Sequence, residues 1–97
     1  MVAFEISVNG RVIQTIGIGD RGMLQASVEW ACIDQRKGTT FEELVVKGSG
    51  LIGNAGGALQ WSDYYIEMGD EVTIRVVTRD EVEPGEPVPL PPFPRGE

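Results

Sequence analysis

The clearest structural pattern in the chain is its N-terminal segment, Val2-Ala-Phe-Glu-Ile-Ser-Val-Asn-Gly-Arg-Val-Ile-Gln-Thr-Ile-Gly-Ile18. Its first half alternates apolar and polar residues, which predicts a half-buried β-strand. Asn9-Gly10 follows, and this pair is the strongest two-residue hairpin signal because both positions tolerate positive φ. We therefore expect the second half to return as an antiparallel strand, with Ile6 opposite Ile13.

The next segment, residues 22–36, has the spacing of an amphipathic helix. Asp20 is suited to the N-cap and Gly38 to the C-terminal stop. Two stripes of residues recur at helical spacing and leave a narrow polar face between them. The stripes consist of Leu24, Val28, Ala31 and Gln35, and of Met23, Ala26, Trp30 and Ile33.

Shorter elements are predicted after this helix. Alternating residues indicate strands at 41–47, 59–61 and 72–77, and the five glycines within 48–57 indicate a loop. A hairpin followed by a crossover helix and further strands predicts an α+β domain with the helix on one face of a mixed sheet.

The amino-acid composition argues against several classes of function. Eight basic and fifteen acidic residues give a net charge of −7, which repels nucleic acid and anionic membranes. The chain has no histidine and one cysteine, so histidine-dependent triads and the usual zinc sites are absent. We expect no enzymatic activity, no cofactor and no metal. A lone thiol, with no leader-like or membrane-spanning segment in the chain, fits the cytoplasm.

The prolines mark a boundary near the C-terminus. All six lie between Pro84 and Pro94. We therefore expect a folded domain over 1–82 and an extended, polyproline-like tail over 83–97. The tail contains P-x-x-P steps, which aromatic grooves of proline-motif readers can bind.

Two motifs resemble ubiquitin. Leu44-Val-Val-Lys-Gly-Ser-Gly-Leu51 resembles the segment L-I-F-A-G-K-Q-L of its third strand, and Ser62-Asp-Tyr-Tyr-Ile66 resembles its S-D-Y-N-I turn. The spacing from that turn to the strand at 72–77 is also similar. The resemblance implies the β-grasp fold of the ubiquitin-like superfamily over residues 1 to about 79.

The same resemblance implies a bacterial protein modifier. Activating and conjugating enzymes would join its C-terminus to target proteins, and a JAB-type zinc peptidase would be a further partner. The conjugating terminus would be Arg95-Gly96 after removal of Glu97, and Lys37 and Lys47 would be acceptor lysines. The chain departs from the family because it lacks the usual Gly-Gly after the last strand.

The resemblance also predicts a partner-binding surface on the sheet. One alternative is a non-conjugated adaptor that binds proteins through this sheet face and the proline-rich tail. Another is a sulfur carrier, which would share the β-grasp fold. The predicted surface comprises Val12, Ile16, Val45, Lys47 and Arg75.

Overall fold

The computed structural model describes residues 1–19, 21–34, 38–53 and 57–88. Its strands are β1 (Val2–Val8), β2 (Arg11–Gly17), β3 (Gly22–Asp34), β4 (Thr40–Ile52), β5 (Gly57–Gln60), β6 (Tyr64–Tyr65), β7 (Val72–Thr78) and β8 (Glu86–Val88). The described residues contain no α-helix and form two antiparallel sheets. The predicted α+β, β-grasp fold is therefore wrong.

The first sheet has the strand order β2-β1-β7. The β1–β2 hairpin is confirmed, and Asn9 and Gly10 both have positive φ at its turn, 53° and 82°. The register differs from the prediction because Ile6 lies opposite Gln14 and Phe4 lies opposite Ile16. Ile13 is the extra residue of a β-bulge in β2, and it shifts the register by one position. The sequence of the turn does not predict this bulge.

The second sheet has the order β3-β4-β5-β8, and β6 pairs separately with β4. The segment predicted as a helix is β3, which pairs with β4 from Gly22 opposite Ile52 to Asp34 opposite Thr40. The segment also satisfies a two-residue period, because even-numbered residues from Leu24 to Trp30 are all apolar. A partner strand distant in sequence therefore overrides the helical spacing.

Part of the predicted glycine loop belongs to β4, because residues 48–52 continue that strand. A Cβ atom on Gly48 would lie 2.8 Å from Ile16 Cδ1, and one on Gly50 would lie 2.5 Å from Ile18 Cγ2. These glycines allow close packing of β4 against the first sheet.

The core lies where the two sheets face each other. Ile6 and Ile16 from the first sheet pack with Val46 from β4 and with Trp61, and all four are buried. Phe4 and Leu24 pack at the margin of this cluster. We call the face of each sheet that carries these residues its inner face and the opposite face its outer face.

Residues 83–88 join the second sheet to the first. The Trp61 indole Nε1 donates a hydrogen bond to the Glu83 carbonyl at 2.7 Å, and the Glu83 amide donates to the Thr15 carbonyl at 3.0 Å. Strand β8 then pairs with β5. The predicted tail therefore begins with six residues that belong to the fold, and the rest of it, 89–97, lies outside the described residues.

Candidate interaction surface

The β3–β4 hairpin extends beyond the rest of the second sheet. Strand β5 pairs with β4 only over 49–52, and β6 pairs with it only at Val45 and Val46. Within the described ranges, the far end of the hairpin, residues 30–34 with 40–44, is therefore a two-stranded ribbon. Such a ribbon is marginally stable in water by itself.

The hairpin carries large apolar side chains that are open to solvent. Trp30 is 60% exposed, Ile33 is 57% exposed and Val28 is 49% exposed. By register, Val28 and Trp30 lie on the inner face, and Ile33 lies beside Phe41 on the outer face. Exposed apolar residues on both faces of a two-stranded ribbon are typical of interaction surfaces.

The outer edge of β3 is free in the described part of the chain. At the start of the hairpin, the Gly53 amide donates to the Arg21 carbonyl at 3.2 Å. Odd-numbered residues of β3 therefore direct their backbone groups toward β4, and even-numbered residues direct theirs outward. The backbone N–H and C=O groups of Leu24, Val28 and the other even-numbered residues form an unpaired row.

Three other edge strands carry features that oppose the addition of a strand. Strand β7 has Arg75 at its centre, β8 is three residues long and contains Pro87, and β2 accepts the Glu83 amide at Thr15. Strand β3 has thirteen residues and contains no lysine, arginine or proline. It therefore lacks the short length, the lysine and the proline by which natural edge strands avoid pairing, and its charged residues are Glu29 and Asp34.

Polar contacts orient some of the hairpin side chains. The Trp30 indole Nε1 donates to Glu42 Oε2 at 3.1 Å, and Lys47 Nζ lies 3.9 Å from Glu29 Oε1. These groups are exposed, so the contacts contribute little to stability and mainly fix side-chain direction. Near the base of the ribbon, the charge of Glu43 and a hydrogen bond to it raise the pKa of Tyr65.

An open cleft lies at the inner face beside β3. Val2 and Phe4 of β1 form one wall, and Gly22 and Leu24 of β3 form the other, around a volume of about 320 Å³. The first sheet continues past this cleft with Ile74 and Val76, which are exposed. The sandwich is therefore incompletely closed on the side where β3 has its free edge.

The five residues of the predicted partner-binding surface do not form one surface. Val12 and Arg75 lie on the outer face of the first sheet, where Arg75 Nε is 3.7 Å from Glu5 Oε1. Ile16 and Val45 are buried in the chain. Lys47 is partly exposed on the second sheet.

The remaining predicted site residues lie outside the described ranges. These are the acceptor Lys37 and the terminal Arg95, Gly96 and Glu97. Sequence reasoning did single out Met23, Trp30 and Ile33, but as the second stripe of a helix. Assigning them to a strand would have required recognising β4 as the pairing partner, because the local spacing fits both structures.

Comparison with known proteins identifies no relative: no protein-family model, no curated protein and no solved structure matches the chain. Among the described residues, no cluster of His, Cys, Asp and Glu side chains could hold a metal ion. The same part of the chain has no helix with the length and apolarity needed to cross a membrane. The case for function therefore depends on the hairpin and its edge.

Proposed function

We propose that this protein is a non-conjugated interaction module that binds a protein chain through the β3–β4 hairpin. The observation that carries the proposal is the free edge of β3, a strand of thirteen residues in which the side chains of Val28, Trp30 and Ile33 are exposed. Backbone groups on such an edge pair with an added strand, and the flanking apolar side chains supply contact area. This is the adaptor alternative, with the binding surface moved to the hairpin.

Site-specific photocrosslinking tests the proposal. A benzoylphenylalanine at Ile33 should form a covalent adduct with a protein chain in the native cells, because this side chain is 57% exposed at the ribbon. The matched control has the same group at Val12, which is 52% exposed on the first sheet. An adduct at position 33 alone supports the proposal. No adduct, or equal adducts at both positions, contradicts it.

A charged substitution on the β3 edge provides a second test of the proposal. Val28→Lys places an ammonium group beside the free backbone groups, and lysine on an edge strand opposes strand addition. We expect it to weaken binding of the captured chain by at least about tenfold, whereas Val12→Lys leaves binding unchanged. Unfolding curves of both variants verify that the Val28→Lys substitution acts on binding and not on folding.

Conjugation through Gly96 is a separate prediction that stays open. The terminal residues that it involves lie outside the described ranges. The resemblance that implied conjugation also implied a β-grasp fold, and that fold is wrong. Incubation with ATP and a cognate activating enzyme tests it through formation of an adenylate or a covalent adduct. A thiocarboxylate terminus would instead support the sulfur-carrier alternative.

A further inference from the structure

We infer that the chain that covers the β3 edge is a second copy of this protein, joined to the first by antiparallel β3–β3 pairing about a two-fold axis at Val28. The inference rests on the proposed function and names the partner. Its first support is backbone geometry: the outward N–H and C=O groups belong to even-numbered residues, including Val28 itself. Two copies therefore present matching donors and acceptors in an isologous arrangement.

The register centred on Val28 overlaps all thirteen residues of both strands. It places Trp30 opposite the small Ala26 of the partner, Cys32 opposite Leu24, and Ile33 opposite Met23. On the inner face a large side chain thus meets a small one in both pairs, and on the outer face two large apolar side chains meet, which favours cross-strand packing. A register centred on Glu29 would instead set two carboxylates directly opposite each other, which is destabilising.

The pairing brings one carboxylate toward a cation of the other copy. At its ends, Asp34 of one copy lies opposite Gly22 of the other. Near the centre, Glu29 lies opposite Ser27, and Ser27 has Lys47 as its β4 neighbour on the same outer face. Glu29 of one copy therefore approaches Lys47 of the other, although the whole chain carries a charge of −7.

The open cleft provides independent support. In this register, Trp30 and Cys32 of one copy are set against Ala26 and Leu24 of the other, and Leu24 forms a wall of the cleft with Phe4. Cys32 of one copy then lies beside the cleft wall formed by Leu24 of the other, and Trp30 lies at the next inner-face position, opposite Ala26. Two surfaces that each copy leaves exposed become mutually covered.

Sedimentation of the full chain over a concentration series is the primary test. We expect a reversible monomer–dimer equilibrium, with Val28→Lys raising the dissociation constant at least about tenfold and Val12→Lys leaving it within about twofold. Acrylamide quenching of Trp30 should fall as the dimer forms, because the partner shields the indole. A chain that stays monomeric at every concentration, or a dimer whose dissociation constant the Val28→Lys substitution does not change, overturns the inference.

Disulfide trapping tests the register. In a Cys32→Ser background, Val28→Cys sets two thiols across the axis at a Cα separation of about 5.5 Å, within bonding range. Ser27→Cys is the control, because its two copies are offset by two residues and their Cα atoms lie more than about 7 Å apart. Rapid linkage at position 28 alone supports the register; equal or faster linkage at position 27 overturns it.

The crosslinking experiment at Ile33 separates this inference from the proposed function. An adduct with the mass of two chains supports both. An adduct with a different protein, together with a monomeric purified chain, retains the interaction function and overturns self-pairing. The absence of any adduct at position 33 overturns both.

Discussion

At the scale of single residues, Trp61 connects the parts of the fold. Its ring is 3% exposed and packs with Ile6 and Ile16 of the first sheet and Val46 of β4. Its indole nitrogen holds the Glu83 carbonyl at 2.7 Å. The residue therefore supplies both apolar burial and the hydrogen bond that positions the segment leading to β8.

Replacing this indole tests that role. Trp61→Phe retains an aromatic ring but leaves the Glu83 carbonyl without its donor, which should lower the free energy of unfolding by about 1–3 kcal/mol. The matched control is Trp30→Phe, whose indole bonds an exposed carboxylate, and it should change stability by less than about 0.5 kcal/mol in the monomer. Urea unfolding at a concentration where the chain is monomeric measures both. Equal losses would contradict this assignment.

At the scale of elements, the turn between β1 and β2 is tied to the turn that precedes β7. Asp70 accepts hydrogen bonds from Asn9 Nδ2 at 2.9 Å and from the Glu67 amide at 2.8 Å. The Glu71 amide donates to Asn9 Oδ1, and the Asn9 amide donates to the Glu71 carbonyl. Asn9 thus forms the hairpin turn and also connects it to the strand on the other side of β1.

This connection predicts a pH dependence. The hydrogen bond from the Glu67 amide, followed by that from Asn9, lowers the pKa of Asp70 below its ordinary value of 3.8. A carboxyl with a lowered folded-state pKa contributes stability above its unfolded pKa, and this contribution is lost as the pH falls through the folded pKa. Asp70→Asn should therefore melt below the wild type at neutral pH, and the gap should narrow in acid.

Thermal unfolding from neutral pH down to about pH 2 measures this effect. The matched control is Asp80→Asn, an exposed position after β7. The difference between its melting temperature and that of the wild type should stay constant over this pH range. A gap between Asp70→Asn and the wild type that stays constant with pH would contradict the role of the ionised carboxylate.

At the scale of the whole molecule, the two sheets share one core and one connecting segment. Residues 83–88 accept the Trp61 indole hydrogen bond, donate to Thr15 and add β8 to the second sheet. The opposite side of the sandwich has no such cover in the described residues, which is where the free β3 edge and the open cleft lie. Over the residues that the structure describes, the sandwich is thus closed on one side by residues 83–88 and open on the other.

Truncation distinguishes the structural segment from the rest of the proline-rich region. A chain ending at Val82 loses β8 and the acceptor for Trp61, so it should be less stable than the full chain by at least about 1–3 kcal/mol. A chain ending at Val88 retains these contacts and should therefore be the more stable of the two truncated chains. Denaturant midpoints decide the comparison. Equal stability of the two truncated chains would show that residues 83–88 contribute nothing to the fold.

Features that depend on neighbouring residues can be predicted from the amino-acid sequence alone. The Asn9-Gly10 turn, the hairpin that it joins and the strand after Asp70 are confirmed, because alternation and positive φ act within a few residues. From the sequence, Trp30 and Ile33 belong to the second apolar stripe of a predicted helix. The local sequence of this segment fits a helix and a strand equally well. It is a strand because thirteen of its residues pair with β4, and that pairing is visible only in the tertiary structure. The free edge of β3, and with it the candidate site, depends on which strands pair, and that is settled by contacts between residues far apart in the chain.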